Sequence, residues 1–153
     1  MAVGKNIAKI IAGSIAIAII SLTAHVTLDE ATVTKTGLPN KPDSAVVATL
    51  KVTLENVYEP CRAHFKRPIY ISSGFRSEAV NRAVGGQQQS QHLKGEAIDL
   101  DADVWGGLTN RQLFKFIYDS LEYDQLIMEG GPNGWVHVSF REGKNRNQAY
   151  FLQ

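Results

Sequence analysis

The chain has 153 residues, a length that suits one domain and leaves little room for two. Sixteen Lys and Arg residues nearly balance fifteen Asp and Glu residues, and the formal charge of +1 gives no broad positive field for nucleic-acid binding. Because Cys61 is the single cysteine, an intrachain disulfide is excluded, and any metal site must be built from His, Asp and Glu. We expect Cys61 to be a small buried core residue on the apolar side of a helix.

The N-terminal residues resemble an export signal. Lys5 and Lys9 precede a run of thirteen uncharged, mostly apolar residues, 10–22. This run is shorter than the roughly 20 residues that a transmembrane helix needs. Three interpretations stay open: an export signal or weak membrane anchor, a helix packed on the domain, and a non-native extension. We therefore expect a signal-like or weakly membrane-anchoring segment over residues 1–24 and one folded domain over residues 25–153.

Helix signals come first in the chain after this segment. The capping-box spacing in "TLDE" (27–30) predicts a short helix. Asp43 or Ser44 then caps a long helix over residues 44–64, in which Pro60 is expected to disrupt the last turn. Apolar residues recur along this helix every three or four positions, which indicates one buried face: Val47, Leu50, Leu54, Val57, Tyr58 and Cys61.

The remaining pattern alternates strands and helices. Ser77 caps a short helix that Gly85 and Gly86 close, and "NRQLFKFIYDSL" predicts a later amphipathic helix. Runs of β-branched and aromatic residues predict strands in "IYISS", "EAIDLD", "DQLIME" and "WVHVSF", with "QAYFL" as a candidate last strand. The order indicates an α+β domain with a small antiparallel sheet and flanking helices.

Strand alternation places two polar residues on one face of this sheet. In "EAIDLD", Ile98 and Leu100 share the face that fills the core, so Asp99 points the other way. In "WVHVSF", Val136 and Val138 belong to the core face, and His137 therefore lies on the polar face.

The two last strands form a predicted hairpin around the loop 130–134. If Glu129 pairs with Trp135, then Ile127 pairs with His137, and Glu129 lies beside His137 on the polar face because paired residues point to the same side. The sequence does not exclude a register shifted by one residue, which would remove Glu129 from this face.

These positions, together with His92, indicate a metal site. Two histidines and one aspartate suit zinc with one coordination position left for water, and zinc lowers the pKa of that water toward neutrality. A nearby carboxylate then serves as general base. The competing interpretation, hydrogen-bonded surface residues without a metal, stays open from spacing alone. We interpret His25 and His64 as structural or incidental, and the basic run "REGKNRN" as solvated surface.

Four segments, in order, resemble a known family: "SSGFRS", "SQHLKGEAIDL", "YDQLIME" and "WVHVSF". They are similar to the zinc D-alanyl-D-alanine carboxypeptidase family, metallopeptidase family fifteen, and closest to its small bacterial and phage-type members. The most specific element is S-x-H-x-x-G-x-A-x-D over residues 90–99, followed by W-x-H at Trp135 and His137. The likeness extends from about Leu22 to the end of the chain.

The resemblance implies a fold and a set of roles. The fold would be the small α+β fold shared with the hedgehog signalling domain, and one zinc ion would be held by His92, Asp99 and His137. Arg76 would bind or polarise the substrate near the scissile carbonyl. The chain would hydrolyse peptidoglycan stem peptides as a D,D-carboxypeptidase or endopeptidase, by zinc-activated water.

The chain departs from the family pattern at one position. Many members carry the catalytic glutamate three residues before the last zinc-binding histidine, where this sequence has Gly134. Glu129 is the best substitute for the general base, and Asp101 is the second choice. The absence of that glutamate motivates an alternative function, a non-catalytic zinc domain that binds cell-wall peptides or a protein partner.

The resemblance also carries expectations about location and partners. We expect a monomer that acts on peptidoglycan peptides and binds no nucleic acid. Export to the periplasm or cell wall, or a membrane tether through residues 1–24, would bring it to its substrate, and a phage lysis enzyme is one version of this interpretation.

Overall fold

Five strands form one sheet in the computed structural model, which describes residues 19–131 and 134–152. Their order across the sheet is β1-β2-β4-β3-β5. The strands are β1 (Tyr70–Ser73), β2 (Ala97–Asp101), β3 (Gln125–Glu129), β4 (Trp135–Ser139) and β5 (Gln148–Phe151). The first four pair antiparallel, and the flanking helices confirm the predicted α+β class.

The sheet differs from a purely antiparallel one at one edge, because β5 runs parallel to β3. After β4 the chain returns past the start of β3, where the Asn147 N–H donates to the Tyr123 carbonyl at 3.1 Å and the Gln148 N–H to the Asp124 carbonyl at 3.0 Å. Asn147 has a left-handed backbone with a φ of 53°. This return brings the chain to the same end of the sheet at which β3 begins, so both strands run in one direction.

The predicted helix caps are present. In α1 (Leu28–Ala31), the Thr27 hydroxyl and the Glu30 carboxylate form the reciprocal capping box. Asp43 caps α2 (Ser44–Thr53) by accepting a hydrogen bond from the Val46 N–H at 2.9 Å.

The long predicted helix continues through a change of geometry. A π-helical turn (Leu54–Tyr58) follows α2 and leads directly into α3 (Glu59–Phe65). Pro60 has no N–H to donate and its ring crowds the preceding turn, so the disruption expected at Pro60 occurs one turn earlier, as the π-helical turn. Helix α3 ends at Lys66, whose φ of 52° is left-handed.

Two further helices lie where the sequence predicts them. Ser77 caps α4 (Glu78–Ala83), and Thr109 caps α5 (Asn110–Ser120) with a second capping box. Leu113 and Ile117 of α5 are fully buried in the hydrophobic core.

One face of the sheet is completely buried, as strand alternation predicts. Ile98, Leu100, Val136 and Val138 have no exposed surface and pack in one cluster with buried residues of the long helix and α5. Cys61 belongs to this cluster, and burial raises the pKa of its thiol to about 12. The opposite face of the sheet is therefore the one available for polar chemistry.

The N-terminal prediction falls mainly outside the described residues, because residues 1–18 are not among them. Within the described part, Ile19 and Ile20 are exposed, whereas Leu22 is buried in the core. None of the described helices combines the length and the apolar composition that crossing a membrane requires. The division at residue 24 stays a prediction.

The two remaining histidines have structural contacts. His25 Nδ1 lies 2.6 Å from Glu59 Oε2, and the His64 ring stacks on Phe116 with ring centroids 3.9 Å apart. These contacts agree with the interpretation of both histidines as structural.

The basic run near the C-terminus is solvated only in part, because Arg146 binds a buried carboxylate. Asp124 has no exposed surface and accepts hydrogen bonds from Arg146 Nε at 2.9 Å and from the Arg146 backbone N–H at 3.1 Å. The second Asp124 oxygen accepts from Arg146 Nη2 at 2.5 Å and from Gln91 Nε2 at 3.0 Å. Burial alone would raise the pKa of Asp124, but the hydrogen bonds and charge of Arg146 hold it below its usual range.

The lowered pKa predicts how stability depends on pH. Since the folded state binds a proton on Asp124 less readily than the unfolded chain, Asp124 stabilises the fold above about pH 4. This contribution is lost as the pH falls through the folded-state pKa. We expect Asp124→Asn to lower the free energy of unfolding by about 2 kcal/mol at pH 7. The difference should shrink toward zero at low pH in urea titrations; a pH-independent difference would contradict this explanation.

Candidate metal centre

His92 lies on a 3₁₀ turn (Gln91–Lys94) that is fixed against α2. The turn ends at Gly95, whose φ of 72° is left-handed and whose hypothetical Cβ would lie 2.8 Å from the Val46 carbonyl oxygen. The Thr53 hydroxyl donates to the Gly95 carbonyl at 2.8 Å. Only glycine permits this close approach of residue 95 to α2. The contacts with α2 therefore fix the position of the turn that carries His92.

Asp99 and His137 are directly paired residues of neighbouring strands. Their pairing in the β2–β4 register puts both side chains on the face opposite the core. In the β3–β4 hairpin, Ile127 pairs with His137 and Glu129 with Trp135. The predicted hairpin register is confirmed, and Glu129 shares the face of His137.

Three side chains converge on this face. His92 Nε2 lies 3.2 Å and His137 Nδ1 lies 2.9 Å from Asp99 Oδ1. The two imidazole nitrogens are 3.3 Å apart. His92 and Asp99 are buried, and the His137 side chain is 12% exposed. The structure thus brings together the three residues that the sequence indicates as ligands.

A backbone carbonyl orients His92. Its Nδ1 lies 2.6 Å from the Gly74 carbonyl oxygen, which only accepts hydrogen bonds, so Nδ1 carries the proton and donates it. The other ring nitrogen, Nε2, faces His137 and Asp99. A ring N–H donated to a carbonyl in this way is typical of metal-binding histidines.

Arg76 contacts the other oxygen of Asp99. Arg76 Nη2 donates to Asp99 Oδ2 at 2.5 Å, and Arg76 Nε donates to the Ser73 hydroxyl at 2.8 Å. Burial by itself would raise the pKa of Asp99, but the two adjacent histidines outweigh burial and hold this pKa well below its usual range. Asp99 is therefore an ionised carboxylate with one oxygen directed at the histidines.

Glu129 lies half-buried beside the three-residue cluster. Burial raises its pKa above the usual value for a glutamate, although the neighbouring positive charges, foremost His137, act in the opposite direction. Asp101 has a different environment, because its Oδ1 accepts hydrogen bonds from the Asp103 N–H and from Asn110 Nδ2, both at 3.1 Å. Of the two candidate bases, Asp101 is occupied in fixing a loop, whereas Glu129 lies half-buried on the face that carries the cluster.

No side chain fits at position 134. A Cβ on Gly134 would lie 1.6 Å from the Glu129 carbonyl oxygen, where the hairpin closes. Asn110 Nδ2 donates to the Gly134 carbonyl at 2.8 Å and holds this close approach. In this hairpin a carboxylate can therefore reach the site from Glu129 and not from position 134.

The donor set suits zinc. Two imidazole nitrogens and one carboxylate oxygen are ligands that zinc prefers, and three protein ligands are the number found in catalytic zinc sites. Within the described ranges, His92, Asp99 and His137 are the one group of three or more such residues whose donor atoms lie within 4.8 Å of one another. Their arrangement fits a single zinc ion.

Several residues that support the site were not anticipated from the sequence. Gly74 belongs to the "SSGFRS" segment, but the use of its carbonyl depends on how the chain folds. Gln91 and Asn110 contribute through hydrogen bonds to distant parts of the chain. The sequence offered only weak indications of these two roles. Gln91 is a polar residue directly before His92, and Asn110 is the first residue of α5.

Comparisons with known proteins agree with this geometry. A family described as Peptidase M15 matches residues 23–139. A zinc D-Ala-D-Ala carboxypeptidase from Streptomyces albus G is 29% identical over 99 residues, which cover 63% of this chain. The matched region spans 37% of the length of that relative.

Metal binding provides the first test of the cluster. We expect one zinc ion per chain, with His92→Ala and His137→Ala each lowering zinc affinity at least 100-fold because a three-ligand site loses one ligand. His64→Ala removes a histidine outside the site and should bind zinc as the wild type does. Stoichiometry and affinity are measured by calorimetry; undiminished zinc binding by either ligand variant would refute the assignment.

Proposed function

The chain belongs to the peptidase M15 family, and from that premise we propose that it is a zinc peptidase that cuts stem peptides of peptidoglycan. The observation that carries the proposal is the His92–Asp99–His137 cluster with Glu129 on the same face of the sheet. The relative named as a D-Ala-D-Ala carboxypeptidase supports D-amino acids next to the scissile bond. Since the chain matches only part of that relative, the scissile bond is part of the proposal.

His92 Nε2, His137 Nδ1 and Asp99 Oδ1 would hold the zinc ion. When bound, zinc would act as a Lewis acid that polarises the scissile carbonyl and lowers the pKa of water. The Gly74 carbonyl accepts from His92 Nδ1 and leaves Nε2 directed at the cluster, and Arg76 fixes the orientation of Asp99. These contacts would orient the donor atoms of His92 and Asp99 before the metal and the substrate bind.

Glu129 is proposed to move the proton. Its carboxylate would take a proton from the attacking water and deliver it to the nitrogen of the leaving amine. Burial raises the pKa of Glu129, which makes the carboxylate a better proton acceptor than a solvated glutamate. Glu129 is nevertheless partly accessible, so its carboxylate can contact a bound substrate.

Arg76 is proposed to bind the substrate in addition to Asp99. The guanidinium has five N–H donors, and two of its nitrogens are engaged by Ser73 and Asp99. The side chain is 17% exposed, so its remaining N–H groups can reach a substrate carbonyl or carboxylate oxygen. This positive charge beside the site would stabilise negative charge that develops during hydrolysis.

We further propose that the protein acts outside the cytoplasm, since stem peptides lie there. The basic start and uncharged run of residues 1–24 support export or a membrane tether. The folded domain would then reach the wall as a monomer, and a phage lysis enzyme is one such arrangement.

The proposal is tested with defined peptides. The zinc-loaded protein is incubated with a stem pentapeptide ending in D-Ala-D-Ala and with a cross-linked dimer of stem peptides, and the products are identified by mass spectrometry. Released D-alanine indicates a carboxypeptidase, and two separated stems indicate an endopeptidase. No cleavage of either substrate by zinc-loaded protein would contradict the proposal and favour a non-catalytic zinc domain that binds wall peptides.

The role of Glu129 has its own test. Glu129→Gln keeps the size of the side chain and removes the proton acceptor, so we expect zinc affinity within about 3-fold of wild type and turnover lowered by 10²–10⁴-fold, the usual range for a general base. Asp101→Asn is the matched control and should retain most of the activity. An active Glu129→Gln together with an inactive Asp101→Asn would show that the base is Asp101.

A further inference from the structure

We propose that the buried carboxylate of Asp124 is a positioning residue for the metal centre, and that it acts through the side chain of Gln91. In this arrangement the C-terminal segment around Arg146 supports the turn that carries His92. The inference rests on the proposed function, because it assumes that His92 binds the metal.

The carboxylate of Asp124, which links Arg146 to Gln91, is fully buried. Asp124 immediately precedes β3, and its backbone N–H donates to the Ser139 carbonyl at 2.7 Å, which ties it to the end of β4. The Arg146 guanidinium makes a two-pronged contact, with Nε on one Asp124 oxygen and Nη2 on the other. Such paired contacts fix the plane of a carboxylate as well as its position.

Gln91 connects this carboxylate to the metal-binding turn. Gln91 Nε2 donates to Asp124 Oδ2 at 3.0 Å, across 33 positions of sequence. The Gln91 backbone carbonyl accepts from the Glu96 N–H at 3.0 Å, and this bond closes the turn that contains His92. A displacement of Gln91 would therefore displace the backbone of the adjacent His92.

His92 is then held from two sides. The Gly74 carbonyl, next to β1, fixes its ring, and the Gln91–Asp124 hydrogen bond, next to β3, fixes its backbone. Gln91 is a half-buried residue that does not belong to the hydrophobic core cluster. Its directional hydrogen bond is the contribution that an apolar side chain of equal size cannot replace.

Arg146 extends this support to the surface. Its side chain is 44% exposed, and yet its guanidinium occupies both oxygens of a carboxylate that has no exposed surface. Without Arg146, Asp124 would retain a buried charge with fewer donors, and its orientation toward Gln91 would be less defined. A residue 54 positions after His92 in the chain would thus influence the metal ligand without touching it.

The test compares two glutamines of the same loop. Gln91→Leu removes the amide and keeps the approximate size, and Gln89→Leu makes the same change at an exposed position two residues earlier. We expect Gln91→Leu to weaken zinc binding roughly 10-fold, the effect typical of residues that orient a metal ligand. Gln89→Leu should stay within about 2-fold of wild type, with zinc affinity measured by competition with a chromophoric chelator.

A double-mutant cycle separates positioning from stability. Arg146→Lys should also weaken zinc binding, and combining it with Gln91→Leu should add no further loss of affinity, since both act through Asp124. Thermal unfolding of the zinc-free proteins should nevertheless show that the double variant is less stable than either single one. Cobalt(II) bound in place of zinc should show altered visible absorption bands in Gln91→Leu and unaltered bands in Gln89→Leu.

The outcomes distinguish this inference from the proposed function. If the wild type binds no zinc, both the proposed function and the positioning role of Asp124 are refuted. If the wild type binds zinc and folded Gln91→Leu binds it equally tightly with an unaltered cobalt spectrum, the positioning role is refuted and the proposed function stands. Additive losses of affinity in the cycle would equally contradict a shared action through Asp124.

Discussion

The register of β2, β4 and β3 is the constraint on which the site depends. Asp99, His137 and Glu129 share a face only because their strands pair without a one-residue shift. The opposite face fixes this register, since Ile98, Leu100, Val136 and Val138 are completely buried there. Exposing each of these side chains would cost roughly 2 kcal/mol, and burying an ionised carboxylate in their place would cost more. The hydrophobic core and the polar site are therefore two consequences of one strand alignment.

Local patterns predicted most of the elements, and together with the family resemblance they indicated the three metal-binding candidates. Alternation along "EAIDLD" and "WVHVSF" assigned Asp99 and His137 to the polar face, and a five-residue loop gave the correct pairing of Glu129 with Trp135. The direction of β5 was not predictable in the same way, because it depends on the return of the chain across the start of β3. Likewise, the contact of Arg146 with Asp124 joins residues 22 positions apart and has no local signature.

The shape of the hairpin explains the unusual position of the candidate base. Gly134 lies against the Glu129 carbonyl where the hairpin closes, and its carbonyl is held by Asn110. Because this close approach excludes a side chain at position 134, a carboxylate on this face has to come from the neighbouring strand. Glu129 meets that requirement, since it pairs with Trp135, two residues before His137 in β4. The close approach of Gly134 to the Glu129 carbonyl thus explains why the candidate carboxylate stands at position 129 and not at position 134.

Anomalous scattering at the zinc absorption edge, measured on crystals of the protein, tests directly whether the cluster binds zinc. If the three residues bind zinc, one peak should lie about 2.0–2.2 Å from His92 Nε2, His137 Nδ1 and Asp99 Oδ1. The Glu129 carboxylate should lie within reach of a water molecule next to that peak. A zinc peak held by other residues would refute the metal site, and a zinc ion at these three residues with Glu129 turned away from it would refute Glu129 as the base.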